Sequence, residues 1–248
     1  MAFGPLPPGE AHLWYAEQEH LTNALATRYL ELLSEAERQR YARFAVPRAA
    51  AEFLLGRGLL RTTLGAYLGL APSAVELRLG QHGKPELAAS AGELADLSFN
   101  LAHSHGMVAC LVARGCSVGV DVEHASRELE VVPLARRFFH PAESADVERL
   151  DAAAQRRRFF QYWTLKEACL KALGTGLSQP LDRFRFEIDA AGVPRLGPGA
   201  DDPLTWQVAQ YELAADYLIA LAIRRDRGSG ERRVVLRRAL VPGEAPSL

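Results

Sequence analysis

The spacing of apolar and polar residues divides the chain into helical and strand-like stretches. In the first third, Ser34 to Glu37 has the spacing of a capping box before a charged helix. Pro47 is placed to open an apolar-rich helix over 48–70, and Pro72 ends it. We therefore expect the first third of the chain to be helical.

Short apolar stretches separated by Gly, Pro, His or Ser follow, which is the pattern of strands joined by turns. These stretches are residues 75–79, 99–101, 107–113 and 118–122. Helical spacing returns over 133–173, and strand-like stretches follow at 184–188, 206–211 and 217–223. The residues after Gly228 predict a last strand and then an irregular tail.

The order of helices and then strands thus occurs twice. Residues 107–114 also resemble residues 217–224, each being the last apolar strand of its half. We therefore predict an α+β fold made of two similar α+β subdomains in one chain, related by a pseudo-two-fold axis. The expected subdomains are residues 1–114 and 115–248.

Composition excludes several classes of protein. The chain has 248 residues, 48% hydrophobic and 24% charged, which is typical of a globular protein. A formal net charge of −1 gives no overall attraction to nucleic acid or to anionic membrane, so any phosphate recognition has to be local. No secretory signal or membrane-length apolar run is visible, and the three cysteines lack zinc-site spacing. We expect a cytoplasmic protein that binds neither nucleic acid nor membrane.

One stretch places two acidic residues at the end of an apolar strand. In Gly119-Val120-Asp121-Val122-Glu123, a period of two puts Asp121 and Glu123 on the same face. Such a pair suits magnesium, which takes a few carboxylates and completes its shell with water and phosphate oxygens. An edge strand with a solvated acidic face has the same pattern, so the strand alone leaves both interpretations open.

A helix over residues 163–171 carries the lysines that could face phosphate. Its apolar residues form an inward stripe, which leaves Lys166, Glu167 and Lys171 on another face. Glu167 and Lys171 also have the spacing of an ordinary surface ion pair, worth only about 0.2–0.5 kcal/mol. However, only three of the 29 basic residues are lysines, namely Lys84, Lys166 and Lys171. A compact ammonium is a point donor to phosphate oxygens, which a planar guanidinium does not reproduce.

Together these residues resemble the surfactin-type 4′-phosphopantetheinyl transferases. The two signatures of that family are Gly-(Val/Ile)-Asp-(Val/Ile)-Glu and Trp-x-x-Lys-Glu-(Ala/Ser)-x-x-Lys, and both are complete here, at 119–123 and 163–171. Two flanking signatures match in order, Gly83-Lys84-Pro85 and Phe-Asn-Leu-Ala-His-Ser at 99–104. The resemblance implies the fold of that family, with coenzyme A in the cleft between two α+β subdomains of a monomer.

The resemblance also implies a reaction and a metal site. The enzyme would transfer 4′-phosphopantetheine from coenzyme A to a serine hydroxyl of an apo acyl or peptidyl carrier protein, releasing adenosine 3′,5′-bisphosphate. Asp121, Glu123 and Glu167 would hold Mg²⁺, with Mn²⁺ as a possible replacement. Lys166 or Lys171 would stabilise the phosphate oxygens. The base is left open between Glu167, a metal-bound water and Lys171.

Further positions are implied to contact coenzyme A. The loop of Gly83, Lys84 and Pro85 would lie against the nucleotide, and His103 would contact phosphate. Lys171 would contact the pyrophosphate directly, and Asp121 would reach it through the metal ion. Ala102 stands where many relatives have serine, so only its backbone could serve there. A basic position of the family falls near Arg40, and Arg57 is a second candidate for the 3′-phosphate, although a solvated helix position is the favoured interpretation of Arg57.

Two other functions compete with this one. A non-catalytic module that binds coenzyme A or a carrier protein would keep the fold, but it would not need all three carboxylates and both motif lysines. A different magnesium-dependent phosphoryl hydrolase would use the acidic strand and the lysine helix. That alternative leaves the motifs at 83–85 and 99–103 unexplained.

Overall fold

The computed structural model describes residues 6–80, 84–88, 96–176, 179–199, 202–213 and 216–239. Within these residues the chain runs twice through the same order of elements: a strand, three helices, a short hairpin and a long antiparallel strand pair. A final strand follows the second copy. None of the helices in this part of the chain is long and apolar enough to cross a membrane.

The first copy begins with a strand and contains the helices that the sequence predicted. Its elements are β1 (Glu10–Glu17), α1 (Asn23–Leu32), α2 (Glu35–Ala42), α3 (Pro47–Leu68), β2 (Leu77–Leu79), β3 (Pro85–Leu87), β4 (Leu97–Ser104) and β5 (Met107–Arg114). The capping box of Ser34 and Glu37 is present at the start of α2. Pro47 opens α3, and Gly69 caps its end in the left-handed conformation at φ 65°.

The second copy repeats this plan. Its elements are β6 (Ser117–His124), α4 (Val131–Phe138), α5 (Pro141–Glu148), α6 (Ala152–Leu173), β7 (Phe186–Ile188), β8 (Pro194–Leu196), β9 (Trp206–Leu213) and β10 (Tyr217–Arg224). The last strand is β11 (Arg233–Arg238). The helical pattern predicted over 133–173 is therefore three helices, because His140 and Asp151 supply N-caps that divide it.

Sheet topology confirms the α+β fold of two similar halves. One sheet has the strand order β11-β1-β5-β4, and the other has the order β6-β10-β9. Strands β1, β5 and β4 thus correspond to β6, β10 and β9, and both sets pair antiparallel. The predicted similarity of residues 107–114 and 217–224 is confirmed, since they are the matching strands β5 and β10.

The prediction that the first third is helical was wrong for residues 10–17. These residues form β1, which pairs in parallel with β11 on one side and antiparallel with β5 on the other. Trp14 packs in the core under α3, whereas Ala11 and Leu13 pack in the layer between the sheets. A strand covered on both faces has no apolar–polar alternation, so the sequence did not reveal it.

The two halves meet where their sheets face each other. Apolar residues of both sheets form one cluster, and further clusters lie under the helices of each half. At the junction of β4 and β6, the buried Asn100 side chain accepts a hydrogen bond from Val120 N at 2.8 Å. This bond joins two strands from different sheets at the edge of the cleft.

The second half packs its long helix very closely against β6. At Gly119, an added Cβ would lie 3.0 Å from the carbonyl carbon of Ala168 and closer still to Ala168 O and Ala172 N. Only glycine leaves room for the α6 backbone at this point. The close approach brings the end of α6 onto the strand that carries Asp121.

Candidate active site

Asp121 and Glu123 lie on β6, on the face opposite the valines that pack between the sheets. Asp121 is 7% exposed, and Lys171 Nζ donates to its Oδ1 at 2.6 Å. Its other oxygen, Oδ2, is buried without a hydrogen-bond partner in the described structure. Burial raises the pKa of Asp121, Lys171 opposes that rise, and the Glu123 carboxylate adds to it.

Glu167 of α6 faces the same two carboxylates. Burial raises the pKa of Glu167, the negative charges of Asp121 and Glu123 raise it further, and Lys171 opposes them. Three acids from one strand and one helix therefore share a half-buried site with a single ammonium group. Repulsion between like charges makes such a site favourable for a cation.

Glu123 is held from two sides. Ser104 Oγ donates to Glu123 Oε2 at 2.7 Å, and Arg127 Nη1 donates to the same oxygen at 2.9 Å. Lys171 pairs with Asp121 and Arg127 pairs with Glu123. The carboxylate oxygens of the three acids are more widely spaced than the possible ligand atoms of Glu17, Glu19 and His20. In that group, the only one of its kind in the described part of the chain, the possible ligand atoms already lie within 4.8 Å of one another.

The residues of the acidic site nevertheless suit a hard divalent ion better. Both groups already face cations, because Arg238 pairs with Glu17 and contacts both ring nitrogens of His20, while Lys171 and Arg127 pair with Asp121 and Glu123. Asp121, however, offers a buried oxygen without a partner, beside two more carboxylates. Oxygen ligands of this kind fit magnesium, which is bound through a few carboxylates.

Next to the acids, a cavity of about 330 Å³ opens between the two halves. It is lined by residues from both of them: Arg40, Glu52, Phe53, Gly56, Arg57, Lys84, Pro85, Asn100, Leu101, His103, Glu167, Lys171, Gly174 and Gly176. Seven predicted site residues thus meet in one cavity, and Asp121 joins them through Lys171. The predicted contact at Gly83 lies outside the described residues. A larger cavity of about 550 Å³, around Cys116 and Arg224, includes none of the predicted residues.

Lys84 connects the halves at this cavity. Its ammonium donates to the backbone carbonyl of Lys171 at 3.0 Å, so the β2–β3 hairpin is tied to the end of α6. Burial lowers the pKa of Lys84, and the nearby charge of Lys171 adds to this effect. The two ammonium groups therefore lie on neighbouring parts of the wall.

His103 and Ala102 point in different directions from β4. His103 Nδ1 lies 2.8 Å from Glu52 Oε1, and its side chain is 59% exposed at the cavity. Ala102 is buried in the apolar layer between the sheets and does not line the cavity. A small side chain at position 102 therefore does not reach the cavity.

Arg40 and Arg57 lie over one aromatic ring. Their guanidinium carbons are 5.2 and 5.3 Å from the centre of the Phe53 ring. Arg57 also pairs with Glu37 at 3.5 Å, and burial lowers its pKa. Arg57 is therefore not a solvated helix residue, as the sequence favoured, but a buried one on the cavity wall.

Lys166 requires a correction. The sequence placed it on the same face as Glu167 and Lys171, but its side chain is 0% exposed and points into the core of the second half. Its ammonium pairs with Glu143 at 2.7 Å and donates to the carbonyls of Leu181 and Phe184. All three donors are used, so Lys166 does not face phosphate.

Sequence reasoning missed several residues around the site. Ser104 and Asn100 stood in a motif but received no role, although a period of two along β4 would have grouped them. Glu143 had capping-box spacing after His140, which could have been read from the sequence. Its pairing with Lys166 depends on the fold and gave no signal, whereas Arg127 lies only four residues after Glu123 and that local pair was overlooked.

Comparisons with known proteins identify the family. Residues 117–222 match the model of the 4′-phosphopantetheinyl transferase superfamily, and residues 13–116 match the model of the N-terminal part of 4′-phosphopantetheinyl transferases. The 4′-phosphopantetheinyl transferase HetI of Nostoc sp. is 36% identical over 181 residues, which cover 71% of this chain and 76% of that protein. A 4′-phosphopantetheinyl transferase of Bacillus subtilis is 31% identical, covering 78% of this chain and 83% of its own length. The transferase Sfp of the same species is 29% identical over the same shares.

These matches confirm the resemblance drawn from the four motifs, and they span both halves of the fold. The chain therefore belongs to the 4′-phosphopantetheinyl transferase superfamily.

Proposed function

We propose that this transferase moves 4′-phosphopantetheine from coenzyme A to a serine hydroxyl of an apo acyl or peptidyl carrier protein. The serine oxygen forms a bond to the phosphorus on the pantetheine side, and the bond from that phosphorus to the bridging oxygen of the pyrophosphate breaks. Adenosine 3′,5′-bisphosphate leaves, and the serine proton passes to a base. The observation that carries the proposal is the cavity between the halves, where lysines and a histidine meet a group of three acids.

Binding of coenzyme A is assigned to the first half. Arg40, Arg57 and His103 offer positive or hydrogen-bonding groups to the nucleotide phosphates, and both guanidinium groups lie over the Phe53 ring. Lys84 and Pro85 lie against the nucleotide in this proposal. Because Ala102 turns its side chain away, only its backbone contributes.

Asp121, Glu123 and Glu167 are the proposed ligands of Mg²⁺, or of Mn²⁺ in its place. The buried oxygen of Asp121 without a partner supports this assignment. When bound, the ion would draw charge from the phosphate oxygens during transfer. Asp121 and Glu123 hold their positions through Lys171, Ser104 and Arg127.

Two residues of α6 carry the remaining work. Lys171 is assigned to the phosphate oxygens, because its ammonium is already held at the edge of the cavity by Asp121. Preorganised donors of this kind stabilise charge that develops in the transition state. Glu167 is assigned first as a metal ligand, and the candidates for accepting the serine proton are Glu167, a water molecule and Lys171.

The working unit is proposed to be a cytoplasmic monomer with subdomains 1–114 and 115–248, in which β11 of the second range joins the sheet of the first, since one chain supplies both walls of the cavity. The odd number of cysteines, three, and their lack of paired short spacing fit a reducing compartment.

Intact-mass measurement tests the function. The protein is incubated with coenzyme A, magnesium and a panel of apo carrier proteins, and we expect one carrier to gain a single phosphopantetheine on serine. Asp121→Ala should abolish the gain while the far-ultraviolet circular dichroism stays that of the wild type. Release of adenosine bisphosphate without an adduct would indicate a hydrolase, and no turnover with any carrier would indicate a binding module. Either result would contradict the proposal.

A further inference from the structure

The second half contains a fully satisfied ion pair beneath the active-site helix. Lys166 and Glu143 are 0% and 1% exposed, and their charged atoms lie 2.7 Å apart. Lys166 also donates to the carbonyls of Leu181 and Phe184, while Glu143 accepts from His140 N at 2.9 Å and Phe186 N at 2.7 Å. The pair thus ties α6 to the start of α5 and to the chain that follows α6.

The first half contains the same arrangement. Arg61 of α3 pairs with Glu37 at 2.7 Å and donates to the carbonyls of Pro72 at 3.3 Å and Val75 at 2.9 Å. Glu37 accepts from Ser34 N at 2.9 Å. Arg61 is buried, like Lys166.

The two pairs occupy matching positions in the repeat. Arg61 and Lys166 are each the fifteenth residue of a 22-residue helix, counted from Pro47 and from Ala152. Glu37 and Glu143 are each the third residue of a helix with a capping box. In both halves one accepting carbonyl belongs to the first residue of a 3₁₀ turn, and the other belongs to the residue just after that turn. The two turns are Pro72–Ala74 and Leu181–Arg183.

Each pair is directly connected to one wall of the cavity. Glu37 contacts Arg57 as well as Arg61, so the first pair holds an arginine of the coenzyme A wall. Lys166 precedes Glu167, which lies about 100° further around α6, and Lys171 follows on the next turn. Whatever fixes the rotation of α6 therefore fixes where Glu167 and Lys171 point.

Small rotations matter at this distance from the axis. With side-chain ends about 5–6 Å from the axis, a rotation of α6 by about 10° moves them by about 1 Å. A misplacement of that size can cost about 100-fold in rate. Apolar residues of similar volume often stabilise a core as well as a buried ion pair does, so net stability does not account for two such pairs at matching positions.

We propose that this duplicated ion pair positions the two walls of the cleft: the Lys166–Glu143 pair orients Glu167 and Lys171 for the metal and the transfer step, and the Arg61–Glu37 pair orients Arg57 for coenzyme A. Lys166 is thus a positioning residue and not a catalytic one. This inference rests on the proposed function, because kcat and KM are measured for the transfer of phosphopantetheine.

Matched double variants test the proposal by removing both charges of each pair at once; in the first half, Glu37→Gln also removes the carboxylate that faces Arg57. Lys166→Met with Glu143→Gln removes one pair, Arg61→Met with Glu37→Gln removes the other, and each glutamine keeps an acceptor for backbone N–H groups. Four quantities are measured: the Mn²⁺ dissociation constant by electron paramagnetic resonance, the coenzyme A dissociation constant by calorimetry without metal, and kcat and KM for coenzyme A.

We expect the two double variants to change different constants. Loss of the Lys166 pair should weaken Mn²⁺ binding by about tenfold or more and lower kcat, with the coenzyme A constants within about twofold of the wild type. Loss of the Arg61 pair should raise the coenzyme A dissociation constant and KM several-fold, with Mn²⁺ binding unchanged. Lys166→Arg, which copies the first half into the second, should keep Mn²⁺ binding within about threefold.

Equal losses of thermal stability with unchanged Mn²⁺ and coenzyme A constants would overturn the proposal, because the pairs would then be structural only. The same would follow if both variants changed the same constant. If a double variant does not fold, Glu143→Asp and Glu37→Asp, which keep a negative charge but shorten its reach to Lys166 and Arg61, are compared by the same constants and the same criteria. The two variants could change different binding constants, as expected, while the wild-type protein modifies no carrier. That result would refute the proposed function and leave the positioning role supported.

Discussion

Gly119→Ala should separate α6 from β6 and disable the site without touching any side chain in it. The added Cβ would lie 3.0 Å from Ala168 C and nearer to Ala168 O and Ala172 N. Ordinary contacts of a Cβ begin at 3.4 Å, and these neighbours are helix backbone that no side-chain rotation can move. The helix would therefore have to retreat by on the order of 1 Å.

The size of the effect follows from that retreat. Overpacking of a core costs about 1–3 kcal/mol, and backbone neighbours put this substitution at the upper end of that range. Glu167 and Lys171 belong to the displaced segment, whereas Asp121 stays on the strand. A shift of about 1 Å between them should lower kcat by about 100-fold.

The assay combines urea denaturation with steady-state transfer to a carrier protein. Gly230→Ala is the control, because an added Cβ there has no atom within 4 Å. We expect wild-type stability and kcat for the control and losses of both for Gly119→Ala. If Gly119→Ala matched the control in both measurements, the close packing of α6 on β6 would not be what assembles the site.

Three further predictions concern single groups. Lys171→Met should lower kcat by about 100-fold, as expected for loss of one preorganised donor, and a kcat within threefold of the wild type would contradict its role. Asn100→Ala should lower the free energy of unfolding, measured by urea denaturation, by about 1–3 kcal/mol, because it leaves Val120 N without an acceptor. An unchanged rate of amide exchange at Val120 would contradict the hydrogen bond between β4 and β6. His12 is buried between Glu10 and Tyr67, and burial lowers its pKa below 6.5, so the unfolded chain takes up its proton first as pH falls. The free energy of unfolding that is present above about pH 6.5 is then lost on acidification. His12→Gln should reduce this loss by at most about 1.4 kcal/mol per pH unit. If the free energy of unfolding fell in parallel with pH in the wild type and the variant, His12 would not cause the loss.

Local patterns predicted the parts of the site that lie close together along the chain. The alternation at Asp121 and Glu123 and the helix carrying Glu167 and Lys171 were readable because each depends only on strand or helix periodicity. The capping box at Ser34 and the two apolar strands β5 and β10 were readable for the same reason. The structure then brought these pieces to one cavity.

What the sequence did not reveal depends on contacts between distant segments. Lys166 was grouped with Glu167 and Lys171 because a polar residue is normally assigned to the polar face of a helix, and its partner Glu143 belongs to another helix. Strand β1 was missed because burial on both faces removes the alternation, and its pairing with β11 joins opposite ends of the chain. Nothing in the local sequence encodes either contact.

The most direct test of the central claim is a crystal structure of the protein with coenzyme A and manganese, with the metal located by its anomalous signal. The account predicts one manganese ion bonded to carboxylate oxygens of Asp121, Glu123 and Glu167 and to the pyrophosphate, in the cavity between the halves. A manganese ion elsewhere, or the three carboxylates turned apart with coenzyme A bound, would contradict it.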